Sequence, residues 1–139
     1  MLSKAIDLLN PEAWRKAVKH HERPSDGELE GISWDSDLLP AYEDRKRLWG
    51  ATKAAVVKDL EPAQRDVVSE PFRLIDERFA ECDEVIDSKE HPQLDHASAR
   101  WFYAAQYPDM IVTFQFDVAR EALSAIAKQT VDDIVAPLT

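Results

Sequence analysis

Apolar residues recur every three or four positions through most of this chain, most clearly at Val68, Phe72, Ile75, Phe79, Cys82 and Ile86. That step matches the turn of an α-helix and predicts one continuous buried face from about residue 62 onward. Pro71 falls inside the run and predicts a kink, because it removes one backbone bond and crowds the carbonyl four residues back. Before it, Leu48, Trp49, Thr52, Ala55 and Val56 mark the buried side of a helix from about residue 38 to residue 60. Leu2, Ile6 and Leu9 suit a short amphipathic turn. Asn10-Pro11-Glu12 then reads as a helix start, with asparagine as cap, proline at the first position and an acid facing the helix dipole. That helix should run to about Lys19 and bury Trp14 and Val18.

Two segments carry alternative readings. Residues 21–36 hold Pro24, Gly27 and Gly31 and read as the longest non-helical stretch, with a short strand at 29–34 as one option. After Pro92, which opens a helix to about Gln106, Pro108-Asp109 begins the last segment. Met110, Val112, Phe114 and Phe116 alternate as a strand would, yet a helix through Val118, Ala122, Ile126 and Ile134 fits as well. Helix is preferred, since no strand partners stand elsewhere. The fold expected is mainly α: a single domain over residues 1–139, an antiparallel bundle of about five or six helices.

Composition narrows this further. Only three glycines occur, which argues against the many turns of a sandwich or barrel. The single cysteine, Cys82, excludes an internal disulfide framework and suits a reducing cytoplasm. Lys4, Asp7, Asn10 and Pro11 interrupt any signal-peptide core, and no run reaches the ~20 apolar residues of a membrane span. A soluble cytoplasmic protein is expected, with no membrane partner.

The formal charge of −10 is concentrated. Between Glu22 and Asp44 eight acids face one base, and between Asp76 and Asp95 eight more face two. Such a surface repels phosphates, so nucleic acid is not an expected partner. Folding the chain about Glu61 sets Asp76 and Glu77 beside Lys46 and Arg45. It also gathers Asp83, Glu84 and Asp87 near Asp35 and Asp37, where no base answers them. Two like-charge pairs, Glu77 with Glu81 and Asp83 with Asp87, stand four residues apart, each unfavourable by roughly 0.2–0.5 kcal/mol. Stability alone would not select them, and they read either as a solvated face that keeps the chain soluble or as a site for a basic partner or a divalent cation. Trp34 sits among these acids, either as an aromatic anchor for a partner or as a pin for its own loop.

Chemistry-bearing motifs are sparse. Glu-x-x-His, His-Glu-x-x-His and paired cysteines are absent, so neither a metal nor a cofactor is expected. His20-His21 reads as a solvated helix end and Cys82 as an inert core thiol. His96, Arg100, Tyr103 and Tyr107 share one helix face and form the best catalytic candidate, suited to acid–base work on a phosphate ester.

Three functions follow. The preferred one is an acidic binding protein that docks onto a basic protein and neutralises it, as bacterial immunity proteins and antitoxins do to toxin enzymes such as nucleases. That comparison is one of charge and size only. Its contact residues would be Trp34, Asp35, Asp37, Tyr42, Asp83, Glu84 and Asp87, with no catalytic residues. The alternatives are a small helical enzyme on the His96–Tyr107 face, or a self-associating protein, a homodimer with Trp101-Phe102-Tyr103 at its interface.

Overall fold

Helices succeed one another from Leu2 to Val135, and no strand occurs among the described residues. The computed structural model describes residues 2–87 and 96–135, with side chains as far as Lys128. The elements are α1 (Leu2–Leu8), α2 (Pro11–Ala17), α3 (Asp26–Gly31), a π-helical turn (Trp34–Leu38), α4 (Leu39–Lys58), α5 (Pro62–Asp87), α6 (Ala97–Trp101), a second π-helical turn (Phe102–Gln106) and α7 (Tyr107–Val135). The architecture is the expected mainly α bundle.

Local chemistry explains the starts. Asn10 Oδ1 accepts from the Glu12 N–H at 2.9 Å, capping α2 as its sequence predicts. Ser25 caps α3: its hydroxyl accepts from the Glu28 N–H at 3.3 Å and donates to the Glu28 carboxylate at 3.1 Å. Residues 21–36 are therefore not a loop throughout. They hold α3 and the start of a π turn, and the strand reading of 29–34 falls with them.

Each π turn ends two residues before a proline, Pro40 and Pro108. In each, the residue just before the proline donates five back, Leu39 to the Trp34 carbonyl and Tyr107 to the Phe102 carbonyl. The wider turn makes room for a ring that would otherwise collide with the carbonyl four residues behind it. Pro108 thus does not begin a new segment. The chain from Ala97 to Val135 is helical throughout, with the second π turn inside it. Pro71 likewise lies buried within an unbroken α5. The expected helix start at Pro92 lies outside the described residues.

α7 is the central strut. Its most extensive packing is with α5, and α1 and α2 also lie against it. Val68, Phe72, Ile75, Phe79 and Cys82 are all buried, as the period of α5 requires. Four helices meet at an aromatic junction. Phe116 of α7 meets Trp14 of α2 edge-on at 5.8 Å and Trp49 of α4 at 6.1 Å, and Trp49 meets Phe72 of α5 edge-on at 5.1 Å.

The short α4–α5 connection does make neighbours of these helices, but in a different register from a fold about Glu61. Lys46 reaches Asp83 at 3.0 Å, while Asp76 accepts from Trp49 Nε1 at 2.8 Å and from Lys53 at 2.6 Å. Arg45 turns away from α5 altogether. It is fully buried and paired with Asp109 of α7.

Candidate functional site

Seven residues of the acidic end were singled out by sequence, and the structure divides them. Tyr42 is wholly buried and offers no surface to a partner, which corrects its assignment as a contact. Its position one turn into α4 aims the ring at Phe79, 6.0 Å between centroids. The hydroxyl shares its one proton between Asp83 Oδ1 at 2.7 Å and the Phe79 carbonyl at 3.0 Å. Asp83 is not an unanswered acid either, because Lys46 bonds both its oxygens at 3.0 and 3.1 Å. Asp37, half-buried, accepts from the Ser33 N–H at 2.8 Å and so closes the start of the first π turn. Trp34 packs partly on the core, pinning its own segment. Asp35, Glu84 and Asp87 remain exposed.

Electrostatics centre on Lys46. Desolvation pulls its ammonium pKa down, but the bond to Asp83 and the fields of Asp83, Glu43 and Asp87 outweigh that and raise it. Glu43 belongs to the first acidic block, and Asp83 and Asp87 to the second. The blocks do come together, then, though through Glu43 at this lysine rather than through Asp35 and Asp37. The first π turn packs chiefly on α4 and α6.

Burial, helped by the Asp83 hydrogen bond and the charges of Asp83 and Glu43, lifts the Tyr42 phenol well above its ordinary range. The unfolded chain ionises this tyrosine near pH ~10 while the folded chain keeps its proton. Stability is therefore full below that pH and falls as pH rises through it. Tyr42→Phe is expected to cost about 1 kcal/mol at neutral pH and to flatten that alkaline decline. Urea titrations of both chains between pH 8 and 11 check this, and parallel declines would refute it.

The face expected to carry catalysis is broken by the second π turn. Phe102 stacks on Tyr107 at 5.1 Å and 17° between planes, a five-residue pairing that only the wider turn permits. Tyr103 meets both rings edge-on, and the Arg78 guanidinium lies 4.1 Å above the Tyr107 ring. His96 is exposed at the α6 cap and lines a shallow cleft of about 550 Å³ with Arg23, Phe102 and Tyr103, but Arg100 does not line it. Trp101 is buried, with Nε1 donating to the His20 carbonyl at 2.8 Å, which removes it from any interface. Cys82 is buried in the core, and that burial pushes its thiol pKa up to about 12. Among the described residues no group of three or more His, Cys, Asp or Glu is placed to hold a metal ion.

Sequence reasoning missed the densest polar network. Asp109, 1 % exposed, accepts from Arg45 Nε at 2.8 Å, Arg45 Nη2 at 2.9 Å and Trp14 Nε1 at 2.9 Å, with His21 Nδ1 at 3.0 Å. Arg45 also donates to the Lys19 and Ala41 carbonyls. His21 is thus hydrogen-bonded to Asp109 rather than a solvated cap, and His20 beside it takes a left-handed backbone, φ 61°. In a plain α-helix Trp101 and Asp109 would point about 80° apart. The π turn between them takes up one extra residue, so both reach the same loop, at His20 and His21. The network is structural: its donors and acceptors answer one another.

Compared with known protein families, with curated proteins and with solved structures, the chain matches none. No helix among the described residues is long and apolar enough to cross a membrane.

Proposed function

We propose that this chain is a non-catalytic binding protein whose acidic end docks onto a basic protein and restrains it, in the manner of an immunity protein or antitoxin acting on a toxin enzyme. The observation that carries this reading is the meeting of Glu43, Asp83 and Asp87 around Lys46, with Glu84 exposed on the same helix end. One lysine sits among three carboxylates, so the surplus there is negative. Exposed Asp35, on the π turn that leads into α4, extends the proposed contact toward the start of that helix. Tyr42 and Asp83 serve this surface from beneath, fixing α4 against α5 so that the acids are presented on rigid helices.

A surface of this kind steers a basic partner and raises association rates by about 10- to 1,000-fold at low salt. Capture from native lysate, with identification of the bound protein, is expected to weaken as salt rises. A chain carrying Asp35→Asn, Glu43→Gln, Glu84→Gln and Asp87→Asn should associate at least about tenfold more slowly while keeping its helical signal. Capture indifferent to both salt and these changes would sink the reading.

A further inference from the structure

We infer that α7 carries the interface of a two-fold homodimer, centred on Phe114. Met110, Phe114 and Val118 are the exposed large hydrophobic residues among those described, at 59, 64 and 38 %. They stand four residues apart and so form one apolar stripe along a helix whose other side is packed on α5. Single exposed hydrophobics are ordinary on a protein surface, whereas a contiguous stripe marks a contact.

Charge around the stripe names the occupant. Beside its first residue, Met110, lies a cleft of about 310 Å³ lined by Arg15 of α2, His21 and Arg23. In that cleft Asp109 is engaged by buried Arg45 and Arg23 by exposed Asp26, which leaves Arg15, held by an exposed contact within its own helix, as the cation that can be recruited there. Beside its last residue, Val118, stand exposed Asp117 and Glu121. Asp117 follows Asp109 and Thr113 at steps of four, which puts it on the same flank as α2. Along one edge the stripe therefore has Arg15 beside its first residue and Asp117, with Glu121, beside its last.

That arrangement is self-complementary. Two copies of α7 packed antiparallel about Phe114 keep this flank on the same side. Met110 of each then lies against Val118 of the other, and Arg15 of each lies opposite Asp117, with Glu121 beside it. A two-fold interface requires this reciprocity, in which residue i meets j and j meets i. Among the described residues of the single chain Arg15 is paired with exposed Glu12 three residues away, an exchangeable contact. The acidic end around Glu43 and Asp87 belongs to other helices and stays open to its own partner.

Light scattering over a concentration series tests the inference, with a species of twice the 15.8 kDa chain expected. Phe114→Asp, at so exposed a position, should give a monomer with unchanged helical signal. Asp117→Lys alone and Arg15→Glu alone should each weaken self-association about tenfold or more, since every reversal creates two like-charge contacts. Mixed, those two variants should form a heterodimer in which both contacts are again opposite in sign. A wild-type chain that stays monomeric overturns the inference and leaves the stripe to a different protein. So does a dimer that survives Phe114→Asp, or a charge-reversed pair that fails to recover.

Discussion

Asp109→Ala is expected to lower folding stability by about 3–5 kcal/mol, the cost of leaving a buried charge without its counter-ion. Arg45 has no exposed surface, and Asp109 supplies two of its hydrogen bonds. The substitution also strips the acceptor from Trp14 Nε1, so a second buried donor is orphaned. Loss on this scale is a large share of the ~5–15 kcal/mol that holds a typical domain together. Changing both ends, Arg45→Leu with Asp109→Leu, should recover part of the loss, because the desolvation cost of the charges disappears with them. Full recovery is not expected, since Trp14 and the Lys19 and Ala41 carbonyls still lose partners. Urea unfolding of the three chains decides the matter. A single-variant cost below about 1 kcal/mol would show that the pair is effectively hydrated.

Phe116→Ala should cost a comparable ~3–5 kcal/mol by a different route, the emptying of a packed core. This ring is 1 % exposed and touches tryptophans from two other helices. Its removal forfeits apolar burial and two aromatic contacts of about 0.5–1.5 kcal/mol each, and it leaves a void at the junction of α2, α4, α5 and α7. Phe116→Leu keeps most of the volume and should cost less than half as much. Chemical denaturation measures both, and tryptophan emission of the folded alanine variant should shift to the red as water reaches Trp14 or Trp49. Equal costs for alanine and leucine would argue against a cavity.

The helical architecture was legible because helix periods and caps are local. The α5 stripe and the Asn10 cap each report on their own few residues, and both stand as read. The strand reading at 110–116 had a definite origin. Val112 and Phe116 point inward while Met110 and Phe114 point outward, so two opposite helix faces, both apolar, alternate just as a strand does. The pattern that blurred the element is thus the exposed stripe itself. α3 was overlooked because Pro24, Gly27 and Gly31 outweighed Ser25-x-x-Glu28, a capping signal the sequence did contain.

Long-range pairing was not legible. Nothing near Arg45 in sequence distinguishes it from Lys46, yet one lies buried on Asp109 and the other half-exposed on Asp83. Their side chains point about 100° apart on α4, and which direction faces the core depends on where α7 lies. Folding about Glu61 assumed that α5 was the chief neighbour of α4, whereas α1 and the second π turn pack on α4 more extensively than α5 does. Under this correction Asp83 and Asp87 lie with Glu43 at Lys46 rather than with Asp35 and Asp37. Tyr42 does not survive it, since burial is set residue by residue.

The extra residue held by Phe102–Gln106 also bears on descent. A protein sharing this fold but carrying a plain α-helix there would be one residue shorter at that point, with Trp101 and Asp109 seven positions apart instead of eight. Matching the two chains would require a gap inside a helix, where insertions are least tolerated. Past that gap every position would be displaced by one, although the tryptophan and the aspartate still occupied corresponding places. Kinship with such a protein would be plain in three dimensions while the letters on either side of the bulge stood out of step.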